Sequence, residues 1–250
     1  MIAGAWVAGF TGKVRVPAVK SASQKPLLVI AGYGDGLGQS LARRFLDGGF
    51  HVAGIARTGP AQPLSEVHLY TADLVDPEAS VEVLRAIEGD FGSPAVLVHN
   101  AAALVRGSFL EVRAPDFEQA WRSNVLTAFN TCQAALPGML KRGAGTLILS
   151  GATASLRGGA RFAPFASAKF ALRGLAQSLA REYQGQGLHV AHVVLDGILW
   201  SARSRARFPD LVRERCLDPD AVAETYWQLA HQPASAWTQE LDLRPKTESF

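Results

Sequence analysis

Leu27-Leu28-Val29-Ile30-Ala31-Gly32-Tyr33-Gly34-Asp35-Gly36-Leu37-Gly38 is the stretch from which the fold of this chain follows. A short apolar, β-branched run stops at a cluster of glycines, and a helical stripe of Leu37, Leu41, Ala42 and Phe45 begins at once. Strand, glycine turn and helix together are the context in which glycines cradle a phosphate group. The first N–H groups of a helix are unpaired and carry positive partial charge. Glycine lets the backbone approach a ligand where a Cβ would stand in the way. The spacing is Gly32-x-x-x-Gly36-x-Gly38 rather than Gly-x-Gly-x-x-Gly. The alternative is a tight turn that holds no ligand.

The same punctuation repeats along the chain. Apolar strands are expected over 51–56, 67–71, 94–99, 146–150, 188–195 and 237–243. Helices start at Asp76-Pro77, Pro115-Asp116, Pro164 and Asp218-Pro219, as proline and aspartate at a helix start dictate. Only about ten residues separate the second and third strands, which is short for a crossover helix and predicts a loop or a single turn. Strands alternating with helices imply an α/β fold, a single-domain, Rossmann-like doubly wound parallel sheet. Ligands of such sheets sit at the carboxyl ends of the strands.

Composition sets the remaining bounds. The 250 residues, 48% hydrophobic and 19% charged, suit one globular domain. Residues 26–250 are assigned to it. Residues 1–25 form a separate, partly flexible extension, basic through Lys13, Arg15, Lys20 and Lys25 and free of acid. Its apolar part lacks a basic leader and a clear cleavage site, so no signal peptide is expected. No run approaches the roughly 18 apolar residues of a membrane span. Two cysteines, Cys132 and Cys216, make neither a disulfide framework nor a metal cage, and a cytoplasmic location is expected. A net charge of +3 calls for no nucleic-acid partner.

In order and in spacing, the strand ends from about residue 27 to 245 resemble the short-chain dehydrogenase/reductase family. Its glycine motif matches Ala31 to Gly38, with Ala31 for threonine. Its adenine-binding acid falls on Asp73, and its Asn-Asn-Ala-Gly segment on His99-Asn100-Ala101-Ala102. Its helix asparagine falls on Asn124, and its Tyr-x-x-x-Lys on Phe165 to Lys169. Its Pro-Gly segment falls on Asp196-Gly197, followed by Ile198 and by Ser201 for threonine. The resemblance implies an NAD(P)-dependent oxidoreductase acting on a carbonyl or alcohol. It implies cofactor binding by Gly32, Tyr33, Gly36, Leu37, Gly38, Arg57, Asp73, Asn100, Ala101, Lys169, Gly197, Ile198 and Ser201. It also implies a homodimer or homotetramer built on the helices from Pro115 and Pro164.

The departures concern catalysis. In the family a tyrosine donates the proton, a lysine lowers that tyrosine's pKa and binds the nicotinamide ribose, and a serine about thirteen residues earlier holds the substrate oxygen. Here Phe165 replaces the tyrosine and Ala152 the serine, while Asn124 and Lys169 remain. A phenyl ring has no proton to give, and losing a positioned acid typically costs 10²–10⁴-fold. Tyr183 lies 18 residues beyond Phe165 on the same helix, about 27 Å away, and cannot substitute. Ser150 and Thr153 are the better candidates to hold an oxygen, ahead of Ser155 and Ser167; His99 is expected to be a packed or solvated histidine. The alternative is a catalytically inactive nucleotide-binding sensor or partner protein.

Two charge features bear on ligands. Arg57 follows the second strand, where a guanidinium can hold a 2′-phosphate, so NADP is preferred to NAD. Asp35 in the glycine turn opposes that preference. Arg203, Arg205, Arg207, Arg213 and Arg215 cluster in the short lid that the resemblance implies at about 198–217, and either draw an acidic substrate or form a solvated helix face.

Overall fold

The computed structural model describes residues 25–60 and 62–247. Of the expected N-terminal extension, residues 1–24 lie outside the described residues. The sheet has seven strands, all parallel: β1 (Leu27–Ala31), β2 (His51–Ala56), β3 (Val67–Thr71), β4 (Val96–His99), β5 (Gly145–Ser150), β6 (Leu188–Leu195) and β7 (Glu240–Leu243). Their spatial order is β3-β2-β1-β4-β5-β6-β7. The order reverses between β1 and β4, and the crevice at that switch point is where ligands bind in such sheets.

Among the described residues seven α-helices accompany them: α1 (Leu37–Asp47), α2 (Pro77–Phe91), α3 (Ala114–Trp121), α4 (Thr127–Arg142), α5 (Ala163–Tyr183), α6 (Ala202–Arg207) and α7 (Pro219–Ala230). Strand side chains alternate between faces, and both faces are covered. Leu27, Val29 and Ala31 pack with residues of α2, α4 and α5. Leu28 and Ile30 pack with residues of α1 and α7. This double burial explains why β1 reads as an uninterrupted apolar run.

The structure decides one open alternative and differs from the sequence-based expectation in three places. No helix connects β2 to β3 among the described residues, which settles the loop-or-turn alternative as a loop. The fourth strand begins at Val96, since Pro94 has no N–H to pair. The last strand begins at Glu240 rather than Trp237, because a 3-10 turn at Ala234–Ala236 precedes it. The helix from Pro115 is interrupted by a π turn at Arg122–Leu126, which carries Asn124 and joins α3 to α4. Such turns insert one residue into the helical ladder and recur at functional sites.

Candidate functional site

The glycine turn is fixed from two sides. Gly32 has φ +91°, and a Cβ there would stand 2.4 Å from the backbone N of Ala101. Asn100 closes the same junction: its N–H donates to Ala31 O at 2.8 Å and its Nδ2 to Gly32 O at 3.2 Å. The turn and the β4 end are thus one backbone unit at the switch point. Across the crevice, a Cβ on Gly36 would lie 3.3 Å from Ser201 Cβ, which brings the start of the lid over the turn.

Among the described residues the N-terminus of α1 receives no side-chain cap, as is also so for α3 and α5, whereas α2 is capped by Asp76, α6 by Ser201 and α7 by Asp218. An uncapped helix start that faces a glycine cradle fits a bound phosphate group. Tyr33 contributes its backbone to the turn while its side chain points inward. Its ring is 2% exposed and packs on Gly54, and its N–H donates to Ile55 O. Leu37 and Gly38 are buried in the first turn of α1, where only their backbone faces the cradle.

A cleft of about 330 Å³ opens beside the β2 and β3 ends, lined by Arg57, Asp73, Val75 and Arg122 among others. Asp73 caps its own turn by accepting from Val75 N at 3.1 Å. Arg57 is exposed at the rim. The structure therefore brings together the two side chains assigned to the adenosine end. It adds Arg122, whose guanidinium lies in the same cleft and is paired to Glu118; its place follows from the π turn, which the sequence pattern does not signal.

At the other end of the crevice the chemistry is sparse. Lys169 is 2% exposed, and its Nζ donates to Ser150 O at 2.9 Å. Burial holds its ammonium down at about 8. The Phe165 ring centroid is 5.7 Å from that Nζ, where a tyrosine would have placed a hydroxyl. Asn124 is fully buried; its Nδ2 donates to Ala103 O and Ala120 O at 3.0 and 2.8 Å. Its Oδ1 is buried and has no hydrogen-bond partner among the described residues.

The candidate hydroxyls divide. Ser150 Oγ is buried and shares a hydrogen bond with Tyr226 OH at 2.9 Å. Ser155 Oγ accepts from Ala152 N, and Ser167 Oγ donates to Pro164 O. Thr153 is half-buried beyond the β5 end, its hydroxyl donating to Asp196 Oδ1 at 2.5 Å. His99 is fully buried, with Nε2 3.0 Å from Thr127 Oγ1. Burial, and after it the Lys169 charge, pushes its imidazole down to about 3, so it is a packed neutral histidine.

Gly197, with φ +155°, and Ile198 follow Asp196 into the lid. Lid arginines lie over aromatic rings. The Arg205 guanidinium is 5.3 Å from the Trp200 centroid, and Arg106 and Arg207 approach Phe208 at 5.5 and 6.0 Å. Arg213 pairs with Asp218. Arg203, Arg205 and Arg207 have no carboxylate partner among the described residues.

Comparison with known proteins agrees with this geometry. The family model described as short chain dehydrogenase matches residues 26–209. The chain is 27% identical over 184 residues to the 3-oxoacyl-(acyl-carrier-protein) reductase FabG of Vibrio cholerae serotype O1, a match covering 71% of this chain and 75% of that protein. A solved short-chain dehydrogenase from Rhodopseudomonas palustris is 31% identical with a TM-score of 0.74, covering 88% of this chain and 98% of that one. A tyrosine-to-phenylalanine variant of ElxO with NADPH bound shares the fold, at 23% identity and a TM-score of 0.78, over 87% and 96% of the two chains.

Proposed function

The chain belongs to the short-chain dehydrogenase family, and from that premise we propose that it is an NADP(H)-dependent oxidoreductase with an altered active site, acting on an alcohol or carbonyl compound. The observation that carries this reading is Lys169. A buried ammonium has three N–H groups, and only the one on Ser150 O has a protein acceptor among the described residues. An ammonium is retained in so dry a place when a ligand completes its hydrogen bonds.

The residues fit a dinucleotide. The uncapped start of α1 behind Gly32, Gly36 and Gly38 would hold its pyrophosphate, and Asp73, Asn100 and Ala101 would line its adenosine half. Arg57 would hold a 2′-phosphate, and Lys169, Gly197, Ile198 and Ser201 would meet the nicotinamide half. When bound, a nicotinamide supplies a carbon that takes or gives hydride. This chain's part is to hold the partner against that carbon and to keep water out. With Phe165 and Ala152 in place, neither contributes a proton or an oxygen contact. The unpaired arginines of the lid favour a substrate that carries negative charge. The half-exposed Phe117, Trp121, Phe129 and Phe170 on α3, α4 and α5 suit a homodimer or homotetramer, which light scattering on the purified protein reports.

Calorimetry with NADP+ and NAD+, followed by a panel of alcohols, ketones and aldehydes, tests the reading. Micromolar NADP+ binding with turnover of a panel member is expected; tight binding with no turnover across the panel would sink it. One observation favours a second reading, a nucleotide-binding sensor or partner protein: the tyrosine and serine positions are lost together. The tyrosine-to-phenylalanine variant of ElxO has NADPH bound. Binding without chemistry is the outcome that this second reading expects.

A further inference from the structure

Asp196 stands where the family resemblance places a proline. It is 2% exposed at the carboxyl end of β6, the strand that pairs with β5 through Ser150 and Val193. Three groups converge on its carboxylate. Thr153 Oγ1 lies 2.5 Å from Oδ1, Arg244 Nη2 3.3 Å from Oδ2, and Arg157 Nη2 3.7 Å from Oδ1. An ionised carboxylate is an acceptor only, so the hydrogen in the Thr153–Asp196 contact belongs to Thr153. A hydroxyl has one proton, and that of Thr153 is committed to Asp196. What remains on Thr153 Oγ1 is two lone pairs.

Thr153 follows Ala152 directly, at the strand end where such folds bind ligands. Its carbon-only neighbours Ala152 and Phe165 offer a substrate oxygen no hydrogen bond. We propose that Thr153 accepts a hydrogen bond from the substrate's hydroxyl group, with Asp196 as the positioning residue that fixes this polarity, so that the site binds a secondary alcohol in preference to the matching ketone. A ketone oxygen can only accept; against Thr153 it meets lone pairs and leaves two acceptors facing each other. An alcohol donates its proton and satisfies both. The inference rests on the oxidoreductase reading above.

The experiment compares matched pairs, 1-phenylethanol with acetophenone and cyclohexanol with cyclohexanone. It reads their dissociation constants on the NADP+ complex and, where turnover occurs, kcat/KM in each direction. Thr153→Val is expected to weaken the alcohols about 3- to 10-fold, the worth of one hydrogen bond. The ketones and NADP+ itself should move less than about 2-fold. Thr153→Ser restores the alcohols.

Asp196→Asn can turn its amide N–H toward Thr153 and free the threonine proton to donate. Alcohols should then weaken while ketones tighten, a reversal that a merely structural role for Asp196 would not produce. If Asp196→Asn fails to fold, the valine and serine variants decide alone. Equal weakening of alcohol and ketone in Thr153→Val overturns the inference and leaves the oxidoreductase reading standing. A loss of NADP+ affinity overturns it too, since Thr153 then serves the cofactor. So does failure of both pairs to bind the NADP+ complex. A protein that binds no NADP+ at all removes the oxidoreductase reading, and the inference with it.

Discussion

Gly32 and Ala101 touch backbone to backbone: a Cβ added to Gly32 would lie 2.4 Å from Ala101 N and 2.5 Å from Ala101 Cα. Neither atom can give, because Asn100 pins the β4 end to Ala31 and Gly32. Gly32 also sits at φ +91°, where an L side chain is strained. Gly32→Ala is therefore expected to destabilise the fold by more than about 2 kcal/mol. Whatever folds should bind NADP+ at least tenfold more weakly, with thermal unfolding and calorimetry as the two measurements. Gly34→Ala, whose Cβ meets nothing within 4 Å, is the control and should change little.

Lys169 sets a second expectation through its proton. Burial lowers it from 10.5 to about 8. The unfolded chain keeps that proton up to about pH 10.5, and the folded chain releases it above about 8. Folding is thus penalised in full below pH 8, and the penalty is relieved as pH rises from 8 toward 10.5. Lys169→Met removes the buried charge and leaves Ser150 O without its donor. The net expectation at pH 7 is a protein about 1–3 kcal/mol more stable that has lost cofactor affinity. The stability gap to the wild type should narrow by pH 10; a gap that stays constant with pH would refute the account.

His99 governs the acid side with the same sign, stability again rising with pH. Its ordinary value of 6.5 falls to about 3 in the fold. Below pH 6.5 the unfolded chain takes up a proton that the folded chain refuses until about 3, so stability is full above 6.5 and lost as pH falls across that window. His99→Gln should flatten the acid limb by about 2–4 kcal/mol between pH 6.5 and 3.5, measured by urea unfolding at each pH.

What the sequence revealed, and what it hid, follows from the range of the interactions. The ends of β1, β2 and β6 lie where the apolar runs stop, because both faces of the sheet are covered at these strands and their residues are almost all buried. Helix starts at Pro77 and Pro219 are equally local, being written in an aspartate and a proline. The π turn around Asn124 is invisible to side-chain periodicity, since it changes the hydrogen-bond ladder and not the residue pattern. The inward turn of Tyr33 depends on Gly54, a residue of the next strand, whose missing side chain makes room for the ring. The pairing of Thr153 with Asp196 spans 43 positions, and only the β5–β6 register brings them together. The sequence shows Asp196 where the family's proline falls, but its burial appears only in the fold.

Cofactor choice turns on Arg57 against Asp35. A charge-assisted hydrogen bond from a guanidinium to a phosphate is worth about 1.5–3 kcal/mol, or roughly 10- to 100-fold. Arg57→Ala should weaken NADP+ by that factor and leave NAD+ within about 2-fold. Asp35 is exposed in the glycine turn, so its repulsion is screened and smaller. Asp35→Asn should tighten NADP+ by about 2- to 5-fold. Equal changes for both nucleotides in Arg57→Ala would place the arginine outside the recognition of the 2′-phosphate.

The last expectation concerns the lost acid. Phe165 and Lys169 are four residues apart on α5, with the ammonium 5.7 Å from the ring centroid. A hydroxyl added at the para position would enter the field of a buried cation, which favours the phenolate and lowers its pKa. Ala152→Ser would supply an oxygen contact on the facing strand end. The Phe165→Tyr, Ala152→Ser double variant should reduce ketones with NADPH about 10²- to 10⁴-fold faster than the wild type. Adding Lys169→Met should abolish the gain, since the phenol then loses the charge that makes it acidic. A gain that survives Lys169→Met would mean that the new tyrosine works without the lysine. No gain at all, with NADPH still bound, would mean that the crevice no longer brings a substrate to the position that the tyrosine once served.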